Sequence, residues 1–298
     1  MASVQAHLLD LIVRLQFKRQ MKNRPDLANA RHTLEKSTLP AAAGVTFSPD
    51  TIGGVAGEWA RAGAPGAATL LYLHGGGYFA CSPRTHRPIT AAYAKRGFDV
   101  FVPDYRLAPE HRFPAAVEDA HAAWNGLLER GRTAGSMTVS GDSAGAGLSL
   151  ALMLGLRDKG APLPAAAALF SPWTDLAGTG ASVAGNAKRD AMFWAPGLTA
   201  AGAYYLGDTP ATDPLASPHY ANLSGLPPLL IHVGDREILR DDSVRLADHA
   251  RAAQVPVDLR IWPVVPHVWQ LAQFVPEARQ SLDLAADFLK HHRVELPT

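Results

Sequence analysis

The sequence predicts an α/β protein with a doubly wound, mostly parallel sheet and a helical cap. Short apolar runs typical of buried strands alternate along the chain with segments that repeat apolar residues at the helical period. One connection between two of these apolar runs is far longer than a crossover helix needs. Residues 6–36 also carry a helical repeat before the first strand-like run appears.

Six apolar runs predict the strands. They are Thr69–His74, Asp99–Pro103, Ser136–Ser140, Ala166–Phe170, Leu229–Val233 and Val257–Trp262. Several of them are apolar without alternation, as expected where helices cover both faces of a parallel sheet. The helical period recurs between and after them in Ala115–Glu129, Ser143–Arg157, Val244–Ala253 and Glu277–His291. This alternation of strand and helix predicts a doubly wound sheet.

The long connection predicts an inserted segment. Between Ser171 and Pro228 lie 56 residues, whereas a helix and two loops need about 20 to 25. Its middle part is rich in large apolar side chains, namely Met192, Phe193, Trp194, Tyr204 and Tyr205. We expect an insertion at about 180–215 to lie over the sheet edge as a cap, together with N-terminal helices in 1–45. The remaining chain, 46–298, is then the main α/β domain.

Composition argues against several classes of protein. The chain has 28 Lys and Arg against 27 Asp and Glu, and this net charge of +1 leaves no electrostatic footprint for nucleic acid. Cys81 is the only cysteine, so no intrachain disulfide forms, and an inert structural thiol is the simpler interpretation. The apolar stretch Leu8–Phe17 lacks a signal-peptide pattern, and no run reaches the roughly 18 apolar residues of a membrane span. We expect a cytoplasmic protein.

A Gly-x-Ser-x-Gly sequence, Gly141–Gly145, stands between a predicted strand and a predicted helix. The flanking glycines permit a sharp strand-to-helix turn, because side chains there would collide with neighbouring elements. Such a turn lifts the serine hydroxyl clear of the sheet and brings the free N–H groups of the helix N-terminus beside it. We therefore expect Ser143 to be a nucleophile, with a purely structural turn as the alternative.

Three successive glycines, Gly75, Gly76 and Gly77, follow His74 at the end of another predicted strand. Without side chains their N–H groups can point at a ligand oxygen, and their cost in chain entropy indicates that the backbone itself is used. A phosphate-binding loop is less well supported, because no Gly-Lys-Ser/Thr sequence follows. We expect the N–H groups of Gly76, Gly77 and Ala144 to form an oxyanion hole.

A nucleophilic serine needs a histidine as base and a carboxylate that orients the histidine. His267 follows the last predicted strand and is the only histidine between Ala250 and Lys290. The loop after the preceding strand carries the carboxylates Asp235, Glu237, Asp241 and Asp242. Both loops stand at the carboxyl ends of strands, where ligands bind in open α/β sheets. The residues thus predict His267 as the base and leave its carboxylate partner open.

Taken together, these motifs resemble the hormone-sensitive lipase family of α/β-hydrolases, in its microbial carboxylesterase branch. The matching segments run from about residue 69 to 269 and include His74–Phe79, Asp104–Glu110, Gly141–Gly145 and the acid and histidine loops. The resemblance implies the α/β-hydrolase fold for a catalytic domain at 46–298. It also implies the cap inferred above, built from the N-terminal helices and an insertion after the sixth strand of the family's fold, and the oxyanion-hole donors already named.

The resemblance also bears on the acid. The family commonly has Asp-Pro-Leu-x-Asp in this loop, and its first Asp is catalytic. In this chain the pattern falls on Glu237–Asp241, so a glutamate occupies the catalytic position. The resemblance therefore implies Glu237 as the acid, with Asp235, two residues earlier, as the main competitor.

The residues and the resemblance predict a serine carboxylesterase that needs no cofactor or metal and acts on a small-molecule ester. Because the imidazole of His267 must be neutral to accept a proton, activity should rise from acid towards mildly alkaline pH. The aromatic residues of the insertion, with Tyr78, Phe79 and Trp269, predict an apolar pocket of limited size and hence short-chain acyl esters. Taken singly, each of them is more readily explained by core packing than by contact with a substrate. Amide hydrolysis by the same groups and a non-catalytic binding role are the alternatives. The resemblance is also compatible with a homodimer through the last strand and terminal helix.

Overall fold

The computed structural model of the chain describes residues 2–19, 26–36, 38–63 and 68–294. Within these ranges one eight-stranded sheet forms the centre of the molecule. Its strands are β1 Thr46–Ile52, β2 Val55–Arg61, β3 Ala68–Leu73, β4 Phe98–Pro103, β5 Thr138–Asp142, β6 Ala167–Phe170, β7 Leu229–Gly234 and β8 Val257–Trp262. They lie in the order β1-β2-β4-β3-β5-β6-β7-β8, antiparallel from β1 to β4 and parallel from β4 to β8.

Helices pack on both faces of this sheet, so the predicted doubly wound α/β fold is confirmed. They are α1 Val4–Ile12, α2 Leu27–Lys36, α3 Arg87–Ala94, α4 Ala115–Glu129, α5 Ala144–Asp158, α6 Ala181–Gly185, α7 Ala195–Leu206, α8 Arg240–Ala252 and α9 Pro276–His292. A π-helical segment, Val13–Lys18, continues α1. Part of the predicted helical stretch 6–36, residues 20–25, lies outside the described residues. No helix in the described ranges has the length and apolar character that crossing a bilayer requires.

The six predicted strands correspond to β3 through β8, and their ends differ by at most two residues. Strands β3 to β7 are buried along their whole length. Their apolar side chains face helices on both sides, which is why these runs show no alternation. The sheet therefore supplies a rigid core on which the loops at its edge are fixed.

The sequence interpretation missed the antiparallel hairpin of β1 and β2. Strand β1 has a mixed exposed and half-buried pattern and contains Pro49 and Asp50, residues that are rare in strands. The signal that could have revealed the hairpin is the Gly53–Gly54 pair, in which both residues have positive φ (59° and 80°). Two such residues favour the tight turn that joins antiparallel strands.

The register of the strands brings the ends of β3, β5, β7 and β8, which the predicted motifs follow, to the same edge of the sheet. Leu73 at the end of β3 pairs with Gly141 of β5, and Gly234 at the end of β7 pairs with Trp262 of β8. Because these strands are parallel, the loops that follow them emerge at one edge of the sheet. The glycine-rich loop, the serine turn, the acid loop and the histidine loop all meet there.

The connection from β6 to β7 contains α6 and α7, and its first part contacts the N-terminal helix. The Lys18 ammonium group donates to the backbone oxygens of Ala187 (3.0 Å) and Asp190 (2.7 Å). The Arg14 guanidinium donates to the backbone oxygen of Lys188 at 2.8 Å. Two basic side chains from the N-terminal helix thus satisfy backbone acceptors of the inserted segment.

Candidate active site

Ser143 lies at the turn between β5 and α5 in a conformation that few residues adopt. Its φ and ψ are 54° and −122°, and its N–H donates to the backbone oxygen of Phe170 at 2.8 Å. Gly145 must be glycine, because a Cβ there would lie 2.0 Å from the backbone oxygen of Leu73. Strained backbone of this kind persists only where its surroundings hold it in place. The close approach of β3 and the hydrogen bond from Ser143 fix the serine at the start of α5.

The glycine-rich loop approaches Ser143 from the end of β3. Gly76 has φ of 117°, and its oxygen accepts hydrogen bonds from the N–H groups of Phe79 and Ala80 at 3.1 and 3.0 Å. Gly76, Gly77 and Ser143 line one cavity. Within the described part of the chain, the N–H groups of Gly76, Gly77 and Ala144 donate to no protein acceptor. These N–H groups are therefore available to a ligand oxygen.

Glu237 and His267 form a buried pair. The Nδ1 atom of His267 lies 2.6 Å from Oε2 of Glu237, and both side chains are 2% exposed. The other carboxylate oxygen accepts from Ser171 Oγ at 2.7 Å and from the N–H of Gly234 at 2.6 Å. A buried carboxylate is costly unless donors surround it, and these three contacts supply them.

The second ring nitrogen of His267 has no hydrogen-bond partner among the described residues. The ring lines the same cavity as Ser143. When Nδ1–H donates to Glu237, the neutral ring carries its free lone pair on Nε2. An imidazole held in this way can take a proton from a hydroxyl group that approaches Nε2.

Asp235, the main competitor for the acid, has different partners. Its Oδ1 accepts from the N–H of Val264 at 2.8 Å, and its Oδ2 pairs with Arg189 at 3.1 Å. Asp235 therefore connects the histidine loop, through Val264, to the inserted segment, through Arg189. Of the four candidate carboxylates, all of which the structure describes, Glu237 is the one that contacts His267.

Asp241 and Asp242 begin α8 and also lie away from His267. Both N–H groups of Thr174 and Asp175 donate to Oδ2 of Asp242 at 2.9 Å. Burial raises the pKa of Asp242 to about 7 against these two hydrogen bonds. Arg245 lies 3.5 Å from its other oxygen. Asp242 thus holds the chain after β6 to the start of α8.

Sequence reasoning missed a buried network behind the serine turn, centred on Asp142. Its Oδ1 accepts from the Tyr72 hydroxyl at 2.6 Å and from the N–H of Gly75 at 3.1 Å, and its Oδ2 lies 3.2 Å from Nε2 of His86. Burial acts to raise the pKa of Asp142, but the charge and hydrogen bond of His86 and the Tyr72 hydroxyl outweigh it and lower the pKa. The signal was an acidic residue next to the serine. Asp142 connects the glycine-rich loop to the serine turn.

A cavity of about 680 Å³ opens above Ser143 and His267. Its walls come from the serine turn, the glycine-rich and histidine loops, the N-terminal helices and the inserted segment. The expected aromatic and sulfur-containing lining includes Phe79, Met192, Phe193, Trp194, Tyr204 and Trp269. For Tyr78 and Tyr205 the alternative of core packing holds, because they stack on each other at 3.7 Å and are 1% exposed. Successive residues of a helix point in different directions, so α7 turns Tyr204 to the cavity and Tyr205 to the core.

Comparison with known sequences gives one family match and many relatives. The family described as alpha/beta hydrolase fold matches residues 70–271. An acetyl-hydrolase of Streptomyces hygroscopicus is 46% identical over 80% of this chain and 81% of its own length. An esterase of Acinetobacter venetianus is 37% identical over 82% of each chain.

Solved structures of bacterial esterases are similar over nearly the whole chain. A crystal structure of EstE5, soaked with p-nitrophenyl butyrate, has a TM-score of 0.93 at 40% identity and covers 98% of this chain and 99% of its own. An esterase from the bacterial hormone-sensitive lipase family has a TM-score of 0.89 at 39% identity, again covering 98% and 99%. At 40% and 39% identity, these two proteins are similar to the chain in sequence as well as in fold.

Proposed function

The chain belongs to the alpha/beta hydrolase family, in its hormone-sensitive lipase branch, and from this premise we propose that it hydrolyses short-chain acyl esters through Ser143, His267 and Glu237. It is a carboxylic ester hydrolase, as are the esterases to which it is similar. The observation that carries the catalytic assignment is the buried 2.6 Å contact between His267 and Glu237. The other nitrogen of His267 has no hydrogen-bond partner among the described residues, and the ring lines the same cavity as Ser143.

In the first step His267 Nε2 accepts the proton of the Ser143 hydroxyl as Oγ attacks the ester carbonyl carbon. Glu237 keeps the imidazole in the required tautomer and stabilises its charged form. Negative charge develops on the carbonyl oxygen, where the N–H groups of Gly76, Gly77 and Ala144 are expected to donate. Loss of one such donor typically costs about 2.7 to 4 kcal/mol in the barrier. The C–O bond then breaks, and protonated His267 gives its proton to the leaving alcohol.

In the second step water replaces the alcohol. His267 accepts a proton from the water molecule as its oxygen attacks the acyl-enzyme carbonyl carbon, and the same N–H groups stabilise the oxyanion again. When the tetrahedral intermediate collapses, the bond to Ser143 breaks and His267 returns the proton to the serine oxygen. The products are the free carboxylic acid and the regenerated enzyme.

The proposed substrates are esters of short acyl groups. Support comes from the apolar lining of the cavity and from the relatives, one of which is named an acetyl-hydrolase. The cavity of about 680 Å³ is within the usual range for small-molecule sites, so an ester with a sizeable alcohol group also fits.

We further propose that the N-terminal helices in 1–45 and the insertion at about 180–215 act as the cap. The homodimer and the cytoplasmic location stay predictions.

Hydrolysis of p-nitrophenyl esters of increasing acyl length tests the function. We expect the highest kcat/KM on acetate to butyrate, and loss of at least about a thousandfold in Ser143→Ala. Ser136→Ala, a serine-to-alanine change before β5, is the matched control and should keep parental activity. Faster turnover of p-nitroacetanilide than of p-nitrophenyl acetate would favour the amide alternative. Activity on long-chain emulsions equal to that on butyrate would contradict the short-chain assignment.

A further inference from the structure

The peptide group that follows Glu237 is held on both sides by the inserted segment. The side-chain amide of Asn186 donates to the backbone oxygen of Glu237 at 2.9 Å. The carboxylate Oδ2 of Asp190 accepts from the N–H of Ile238 at 2.7 Å. These two groups belong to one peptide unit, so its position and its rotation are both fixed. A second bond from Asn186, to the backbone oxygen of Asp235 at 3.1 Å, holds the start of the same loop.

The other oxygen of Asp190 organises the chain that contacts the histidine. Its Oδ1 accepts from the N–H groups of Met192 and Phe193 at 2.7 and 2.8 Å. The ring of Phe193 packs edge-on against the imidazole of His267. One buried carboxylate therefore connects the loop that carries Glu237 with the residue that packs on His267.

Burying the carboxylate of Asp190 costs free energy, and the N–H groups of Met192, Phe193 and Ile238 supply hydrogen bonds that offset this cost. The residue is 1% exposed. Burial raises the pKa of Asp190, while the hydrogen bonds from the N–H groups of Phe193 and Ile238 act against that rise. Its backbone oxygen also accepts a hydrogen bond from the ammonium group of Lys18 at 2.7 Å. The N-terminal helix, the inserted segment and the acid loop thus converge on this residue.

We propose that Asp190 and Asn186 are positioning residues for the reaction, which fix the carboxylate of Glu237 against His267 by holding the peptide group after it. The inference rests on the proposed function, because it assigns a role relative to the proposed triad. The inserted segment then takes part in catalysis through the backbone of the acid loop, besides covering the cavity. Small displacements of groups that act in the reaction can reduce rates by about a hundredfold, so a support of this kind is of direct consequence.

Asp190→Asn separates the two connections of this carboxylate. The asparagine oxygen can still accept from the N–H groups of Met192 and Phe193, whereas the NH₂ group faces the N–H of Ile238 and cannot accept from it. With p-nitrophenyl acetate, we expect kcat to fall on the order of tenfold while KM changes by less than about twofold. Active sites are counted by titration with an organophosphonate, so that kcat refers to folded enzyme.

A double-mutant cycle with Glu237→Gln distinguishes positioning from general damage. If Asp190 acts through Glu237, Asp190→Asn should change kcat by less than about twofold once the carboxylate is gone. The matched control is Asp213→Asn, because Oδ1 of Asp213 accepts from the N–H groups of Leu215 and Ala216 in a similar turn. This control should keep parental kcat.

Three outcomes would overturn the proposal. The first is an equal loss of kcat in both backgrounds, which would mean that Asp190 acts on the whole fold. The second is a rise in KM at unchanged kcat, and the third is parental kcat in Glu237→Gln. Loss of activity in Ser143→Ala would still support ester hydrolysis in each case. If Asp190→Asn does not fold, Asn186→Ser tests the same peptide group from its carbonyl side, with the same expected loss and the same cycle.

Discussion

The ring of Phe193 meets the imidazole of His267 edge-on, with 4.6 Å between the ring centroids and 65° between the planes. Phe193 belongs to the inserted segment, and His267 belongs to the loop after β8. The contact therefore joins two parts of the chain that are 74 positions apart in the sequence. It restricts the imidazole on one face while Glu237 holds it at Nδ1.

Replacing Phe193 with Ala should reduce kcat by about two- to tenfold. Aromatic pairs of this geometry contribute about 0.5 to 1.5 kcal/mol, and their loss leaves the imidazole less restricted. Steady-state kinetics with p-nitrophenyl butyrate measures the effect. Trp194→Ala is the control, because Trp194 lines the cavity without a ring contact to His267 in the described structure. It should change KM more than kcat, and the same kinetic pattern in both variants would count against the role of Phe193.

Asp142→Ala should lower kcat by about tenfold or more, since the glycine-rich loop loses its connection to the serine turn. The carboxylate holds the N–H of Gly75, next to the proposed oxyanion donors. Asp142→Asn keeps an oxygen for Tyr72 and Gly75 and should retain most of the activity. Kinetics on p-nitrophenyl acetate with both variants checks this, and comparable losses in the two would show that charge matters more than the hydrogen bonds.

Gly145→Ala should destabilise the protein by about 1 to 3 kcal/mol. A methyl group there would lie 2.0 Å from the oxygen of Leu73 and 2.4 Å from that of His74, so the backbone of β3 or α5 must move. Urea unfolding followed by circular dichroism measures the free energy of unfolding. Gly185→Ala is the matched control, because a Cβ at that position meets no atom within 4 Å beyond its chain neighbours and the backbone of its own helix. An unchanged midpoint in Gly145→Ala would contradict the close approach.

The contribution of Asp242 to the free energy of unfolding should fall as the pH rises from about 4 towards neutrality. Its pKa is raised from the ordinary 3.8 to about 7, so the native protein keeps this proton at pH values where the unfolded chain has lost it. The stabilising contribution of the protonated form is complete below about pH 4 and is lost as the pH rises through about 7. Burial, the largest cause of the shift, penalises the charged form.

Asp242→Asn removes this titration while an amide oxygen can still accept from Thr174 and Asp175. We expect the free energy of unfolding to differ less between pH 5 and pH 8 in the variant than in the parent, with urea unfolding at the two pH values as the measurement. Asp248→Asn, on the exposed face of α8, should leave the parental pH dependence unchanged. A variant that follows the parent at both pH values would show that Asp242 does not titrate in this range.

The candidate site residues could be identified in the sequence because they stand in local patterns. Glycines around Ser143 and after His74 are needed for backbone shapes that other residues rarely adopt, so their spacing is visible in the sequence. The central strands were predictable for a similar reason, since a strand buried on both faces is apolar at every position. The hairpin of β1 and β2 was missed because its half-exposed residues carry no such pattern.

The sequence by itself determined the fold class. Its motifs predicted Ser143 as the nucleophile and His267 as the base and placed the acid in one loop, where the family resemblance favoured Glu237. Only the tertiary structure decided that Glu237, and not Asp235, lies against His267, and that Tyr205 packs in the core. Carboxylates two residues apart have the same chemistry, so their roles depend on which one the loop points at the imidazole. No local sequence pattern marks Asp190 and Asn186 as part of the site. Their contacts join segments about 50 residues apart in the chain, and contacts of that kind depend on how the whole chain packs.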